Sequence, residues 1–94
     1  MLIDADFVPK LASKARLKHD RHENQYVLLY PERGLVLNDS AAAIAQRCDG
    51  TRSIGAIIGE LAEAHPEAPR AAIERDVLDF VSGLLDKALL ERPR

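Results

Sequence analysis

The sequence predicts an α+β fold in which a three-stranded antiparallel sheet is followed by three helices. Three observations predict it. Up to position 37 the apolar residues alternate or run in short apolar blocks, beyond it they recur every three or four positions, and the two regimes meet at Asn38-Asp39-Ser40, whose side chains can cap a helix. With 94 residues and no repeat, low-complexity tract or linker, the chain suits one domain with one modest core. We divide it into a flexible N-terminal arm, residues 1–14, and a single folded domain, residues 15–94.

Each element has its own signal. Ala15, Leu17 and His19 alternate with Arg16 and Lys18, as a half-solvated strand does. Gln25 to Tyr30 is apolar on both faces, which suits a central strand. Pro31-Glu32-Arg33-Gly34 combines a preset φ with a glycine free to take positive φ, the chemistry of a tight hairpin loop, and Leu35-Val36-Leu37 returns as the third strand. Ala41, Ile44, Ala45 and Cys48 then mark a first helix ending at Asp49-Gly50. Thr51 or Ser53 caps a second, whose apolar face is Ile54, Ile57, Ile58, Leu61 and Ala62, and which stops near His65-Pro66. Pro69 and Arg70 open a third helix carrying the stripe Ile73, Val77, Phe80, Val81 and Leu84, with Leu78, Leu85 and Leu89 on a strip beside it.

Composition narrows the function classes. Apolar residues at 47% and charged residues at 30% describe a soluble globular chain. The net charge of -2 disfavours general affinity for nucleic acid or anionic lipid. That charge is uneven: Lys10 to His22 holds five bases and one acid, whereas Gly34 to Arg94 holds seven bases and ten acids. Acids precede any base at the N-terminus and no apolar run follows, so neither a signal peptide nor a membrane anchor is expected. Cys48 is the lone cysteine, which excludes an intramolecular disulfide and fits a cytoplasmic location.

Catalysis has no constellation to rest on. The chain contains no P-loop, nucleophile elbow, zinc-ligand spacing or supported carboxylate pair, so no catalytic residue, metal or cofactor is expected. His19 and His22 are an odd number of residues apart, which on a strand turns their rings to opposite faces. Cys48 lies on an apolar stripe with no base to activate it. Binding is better supported. The first strand guards its edge with Arg16 and Lys18, while Leu35-Val36-Leu37 leaves an uncharged edge that can accept an extended peptide as a fourth strand. The chain's own tail, Ala88-Leu89-Leu90, or self-association with a second copy would cover the same edge. The leucine strip of the third helix either lines a groove against that strand, rimmed by Arg75, Asp76 and Asp79, or is buried outright.

Arg16-Leu17, Tyr30-Pro31-Glu32, Leu37-Asn38, Ala41, Ile44, Cys48-Asp49-Gly50, Asp76-Val77 and Phe80, taken in order, resemble the PqqD family of pyrroloquinoline quinone (PQQ) biosynthesis over roughly Pro9 to Leu90. The resemblance implies a winged-helix-like peptide-recognition domain, of the kind called a RiPP recognition element. It implies a non-catalytic peptide chaperone that binds the precursor peptide PqqA by strand addition and presents it to PqqE, a radical S-adenosylmethionine enzyme. The iron–sulfur clusters belong to that partner, since Cys48 alone cannot ligate one. By the same carry-over, Leu35, Val36, Leu37 and Asn38 supply the strand contact, while Arg75, Asp76, Leu78 and Asp79 wall the groove. Pro31, Glu32, Asp49 and Gly50 match the family motif, but turn and helix-end chemistry already accounts for them. The alternative is a winged-helix DNA-binding protein. Between Arg70 and Lys87, however, three bases face four acids, a poor complement to a phosphate backbone.

Overall fold

The structure, a computed structural model, describes residues 3–91. The element order is β1 (Arg16–Asp20), β2 (Gln25–Tyr30), β3 (Arg33–Leu37), α1 (Asp39–Gln46), α2 (Ile54–Ala64) and α3 (Arg70–Asp86). The strands form one antiparallel sheet in the order β1-β2-β3, and the helices follow, as the two periodicities predict.

Turn chemistry sets the sheet's register. Asp20 Oδ1 accepts from the amide of His22 at 2.9 Å, and Asn24 takes a positive φ of 52° to close the first turn. In the second turn Tyr30 pairs with Arg33, so the loop is only Pro31-Glu32. The left-handed residue is Glu32, at φ 63°, and not Gly34. Gly34 instead sits inside β3 opposite Leu29. The tighter loop follows from the core: it pairs Leu28 with Leu35 and Tyr26 with Leu37, placing all four on the inner face.

Asn38 begins α1, its Oδ1 accepting from Ala41 N at 2.8 Å. The helix ends earlier than its apolar spacing predicts. The amides of Arg47 and Cys48 turn back three residues, to Ile44 O at 3.0 Å and Ala45 O at 3.1 Å, which tightens the last turn and leaves Cys48 buried beyond the helix. Gly50 carries the positive φ, 84°, that this reversal needs. Ser53 caps α2, accepting from Ala56 N at 3.1 Å, while α3 starts after Pro69 without a side-chain cap.

One core joins sheet and helices. Leu28, Ile44, Ile54, Ile57, Val77, Val81, Leu84 and Leu89 are almost completely buried. The arm expected to be flexible ahead of Ala15 is tied down across its described residues. Pro9 is fully buried, and Ile3, Phe7 and Leu11 pack on the core. Backbone bonds fasten the segment to two distant loops: Gly50 N to Pro9 O (3.0 Å), Leu11 N to Cys48 O (3.0 Å) and Ala12 N to Leu89 O (2.7 Å). Sequence patterning missed this because an irregular segment paired by isolated bridges has no period.

Candidate functional site

β3 is a terminal strand of the sheet, and among the described residues no other segment pairs with it. The tail that might have covered it is engaged elsewhere: Leu90 bridges Leu11, and Glu91 N donates to Lys10 O at 2.7 Å. In an antiparallel ladder, a terminal strand turns alternate amides and carbonyls toward its neighbour and the rest outward. β3 therefore presents unpaired main-chain donors and acceptors along its outer edge, the template that strand addition requires. Its side chains are split between faces. Leu37 is buried, Leu35 is half-buried on the inner face, and Val36, 58% exposed, points to the outer one.

Where β3 ends, a cleft opens between the start of α1 and one flank of α3. Asn38, Ser40, Ala41 and Ile44 line one wall, and Asp76, Asp79 and Phe80 the other. A smaller recess of about 120 Å³ continues from it between the three helices, floored by Ala43, Ile44, Leu61, Ile73 and Val77, with Asp39 and His65 at its rim. The floor is apolar and the rim acidic, and among the described residues no lysine or arginine lines either hollow.

Of the residues expected at the site, the structure brings Asn38, Asp76 and Asp79 together at this cleft and sets Leu35, Val36 and Leu37 on the strand leading to it. Arg75 and Leu78 do not line it. The reason lies in helical geometry. Stepping ~100° per residue from the buried Val77, Asp76 and Phe80 fall on one flank of α3, while Leu78 and Leu85 fall on the other. Leu78 and Leu85 pack against the core as half-buried residues, and Leu89, beyond the end of the helix, is 1% exposed. The leucine strip is thus not the wall of this cleft. Ser40, Ala41, Ile44 and Phe80 line it and were not predicted to. Ser40 had a capping role on offer, and the periodicity of the other three assigned them to the core.

Several other polar groups serve the fold. Glu60 accepts from Arg47 Nε at 3.1 Å and from Arg52 Nε at 2.7 Å, and Arg52 also reaches Asp49 at 2.9 Å. Asp49 Oδ1 accepts from the amide (3.0 Å) and hydroxyl (2.6 Å) of Thr51. The Thr51 hydroxyl, then its amide and Arg52, hold the Asp49 carboxyl below its ordinary value. Cys48 donates to Ile44 O at 3.3 Å, and burial, with some help from Asp49, pushes its thiol up to about 12. His19 packs against its cross-strand partner Tyr26 with the rings tilted by 53° and their centroids 4.9 Å apart. No group of three or more His, Cys, Asp or Glu among the described residues is placed to hold a metal ion.

A small winged-helix-like α+β domain, with an uncovered strand edge and an acidic cleft beside α3, is the class of protein that these features define. A sequence profile of Coenzyme PQQ synthesis protein D (PqqD) matches residues 25–90, and the chain belongs to the PqqD family. A PqqA binding protein from Xanthomonas oryzae pv. oryzae is 47% identical over 88 residues, covering 94% of this chain and 95% of that one. The solution NMR structure of the PqqD truncation of Methylobacterium extorquens PqqCD, described as a functional and stand-alone RiPP recognition element, has 36% identity. It superimposes with a TM-score of 0.80, over 97% of this chain and 96% of that one. The crystal structure of PqqD from Xanthomonas campestris is 43% identical, with a TM-score of 0.58 over 97% and 100% of the two chains.

Proposed function

We infer that this domain is a non-catalytic peptide chaperone of PQQ biosynthesis. It binds the precursor peptide PqqA as a fourth strand on β3, and presents it in the cytoplasm to the radical S-adenosylmethionine enzyme PqqE. The observation that carries this reading is the free β3 edge running into the cleft between α1 and α3. Relatives of nearly the same length named PqqA binding protein support the choice of peptide. Main-chain bonds to the outward-facing amides and carbonyls along Leu35-Val36-Leu37, which alternate with those turned to β2, would supply affinity, and alternate guest side chains would enter the cleft and give selectivity. Asp76 and Asp79 favour a guest with a lysine or arginine at a cleft-facing position. The same acids, alongside Glu74 and Asp86, disfavour a phosphate backbone, which leaves DNA binding the weaker reading of this fold.

Calorimetric titration with synthetic PqqA tests the reading. Saturable heat with a one-to-one midpoint is expected. A flat titration with protein whose amide spectrum is well dispersed would overturn it.

A further inference from the structure

The sheet has a second face that the cleft does not use. In an antiparallel sheet, registered partners share a face, so Arg16, Leu29 and Gly34 lie on the outer face together with Lys18, Val27 and Val36. Gly34 confirms the geometry: a Cβ there would lie 3.4 Å from Leu29 Cδ2 and 3.6 Å from Val27 Cγ1. Among the described residues no helix or loop covers the apolar centre of this face. Leu29 is 39% and Val36 58% exposed, two of only three large apolar residues that stand so open among the described residues. A shallow hollow at the β1 side is lined by Lys18, Arg21, His22, Val27 and Leu29, together with His19 and Asp20.

The rim of this face is basic. Arg16, Lys18 and Arg21 form no ion pair among the described residues; Asp20 alternates onto the same face and keeps its charge while accepting from the amides of its own turn, so the β1 side of the rim sets three bases against one acid. Three cations against one carboxylate around exposed Val and Leu on this face, and an acidic cleft elsewhere, give the domain two recognition surfaces of opposite sign.

We propose that the outer face of the sheet, with Val27, Leu29 and Val36 at its centre and Arg16, Lys18 and Arg21 at its rim, is the docking surface for a second protein whose own surface is apolar at the centre and acidic at the rim. The proposal rests on the peptide-presentation reading above and adds where the modifying enzyme sits. A second copy of this chain fits poorly, because a two-fold pairing through this face would set like charges against each other. An extended nucleic acid would meet an apolar centre where it needs a track of cations.

The geometry also explains how presentation works. A guest strand added to β3 sends alternate side chains to the two faces, so half of them emerge beside Val36. A protein docked on the outer face therefore touches the domain and the guest together. Three strands of five, six and five residues, paired over five positions at a time, cover ~17 Å by ~14 Å, or ~240 Å², well below the ~800 Å² per partner of a stable complex. The domain alone should hold its partner weakly, and the bound peptide should tighten the complex by enlarging the same surface, with the reciprocal effect on peptide affinity.

The test uses ¹⁵N-labelled protein titrated with purified PqqE, with and without PqqA, and the double variant Lys18→Glu, Leu29→Gln. Neither residue belongs to the peptide site, and both side chains are exposed, so peptide binding and the amide spectrum should be unchanged. The expected result is broadening or shifts centred on Arg16, Lys18, Val27 and Leu29, tightening with peptide, and about a tenfold or greater loss of enzyme affinity in the variant. Enzyme binding that perturbs the Arg47–Glu60 region instead would overturn the docking surface and leave presentation standing. No enzyme binding with or without peptide would sink both, while the peptide titration separately reports on the cleft. Shifts at these residues produced by phosphatidylglycerol vesicles but not by PqqE, or by raising the protein's own concentration, would also overturn the proposal.

Discussion

The amide of Gly50 donates to the carbonyl of Pro9 at 3.0 Å, and this bond pins the N-terminal segment to the loop between α1 and α2. It forms because Gly50 takes a φ of 84°, which aims its N–H at the segment passing alongside. Gly50→Ala should destabilise the domain by about 1–2 kcal/mol, the cost of a left-handed conformation for a residue with a Cβ. The added methyl would also sit 2.9, 3.3 and 3.4 Å from Lys10 Cδ, Cγ and Cβ, so the root of that side chain would have to shift as well. Chemical denaturation checks it: a lower midpoint with an unchanged m-value is expected.

Removing residues 1–12 should lower the melting temperature rather than leave it untouched. The deletion takes away fully buried Pro9 and strips the backbone partners of Cys48, Leu89 and Gly50. A fall of at least about 5 °C is expected for a domain of this size, read by circular dichroism. An unchanged melt would mean that the segment contributes nothing to the fold.

Leu28 sits at the centre of the inner face and has no exposed surface. Leu28→Ala should cost about 2–5 kcal/mol, lost transfer energy plus the cavity left behind. Val36→Ala, at an exposed site, should be close to neutral for stability.

Cys48 and Asp49 contribute to the pH dependence of stability with opposite sign. Cys48 holds its proton more tightly folded than unfolded, so its contribution is fully present below pH 9.0 and is lost as pH rises from there toward 12. Across that window stability should fall by up to about 1.4 kcal/mol per pH unit. The native thiol should resist a thiol reagent at pH 8 until the protein unfolds. Asp49 acts oppositely: its carboxyl is depressed, chiefly by the Thr51 hydroxyl, so its contribution is present above pH 3.8 and is lost as pH falls below it. Thr51→Val should blunt the acid limb of a stability profile and leave the alkaline limb alone.

Asp79 lines the cleft and pairs with no base among the described residues. Asp79→Lys should weaken PqqA binding severalfold while the melt stays within about 2 °C, as expected for a surface change. Unaltered affinity in calorimetry would place the guest elsewhere.

Local chemistry made much of this fold legible. Asn38 at the start of α1, Ser53 at the start of α2, the Val77-Val81-Leu84 stripe and the alternation around Leu17 all act over a few residues, so the sequence by itself determined the number, order and type of the elements. It also determined that Leu35-Val36-Leu37 would form an edge without charge. Only the tertiary structure decided that this edge is left open, because the tail's actual partner, Leu11, lies nearly eighty residues away and the two segments share no periodic signal. The site's walls were settled the same way. Asp76, Asp79 and Phe80 meet Asn38, Ser40 and Ala41 because α3 packs on α1 by one flank and not the other, a choice of rotation about a helix axis. An apolar arc wide enough to satisfy either rotation cannot fix that choice; competition between whole packed arrangements does.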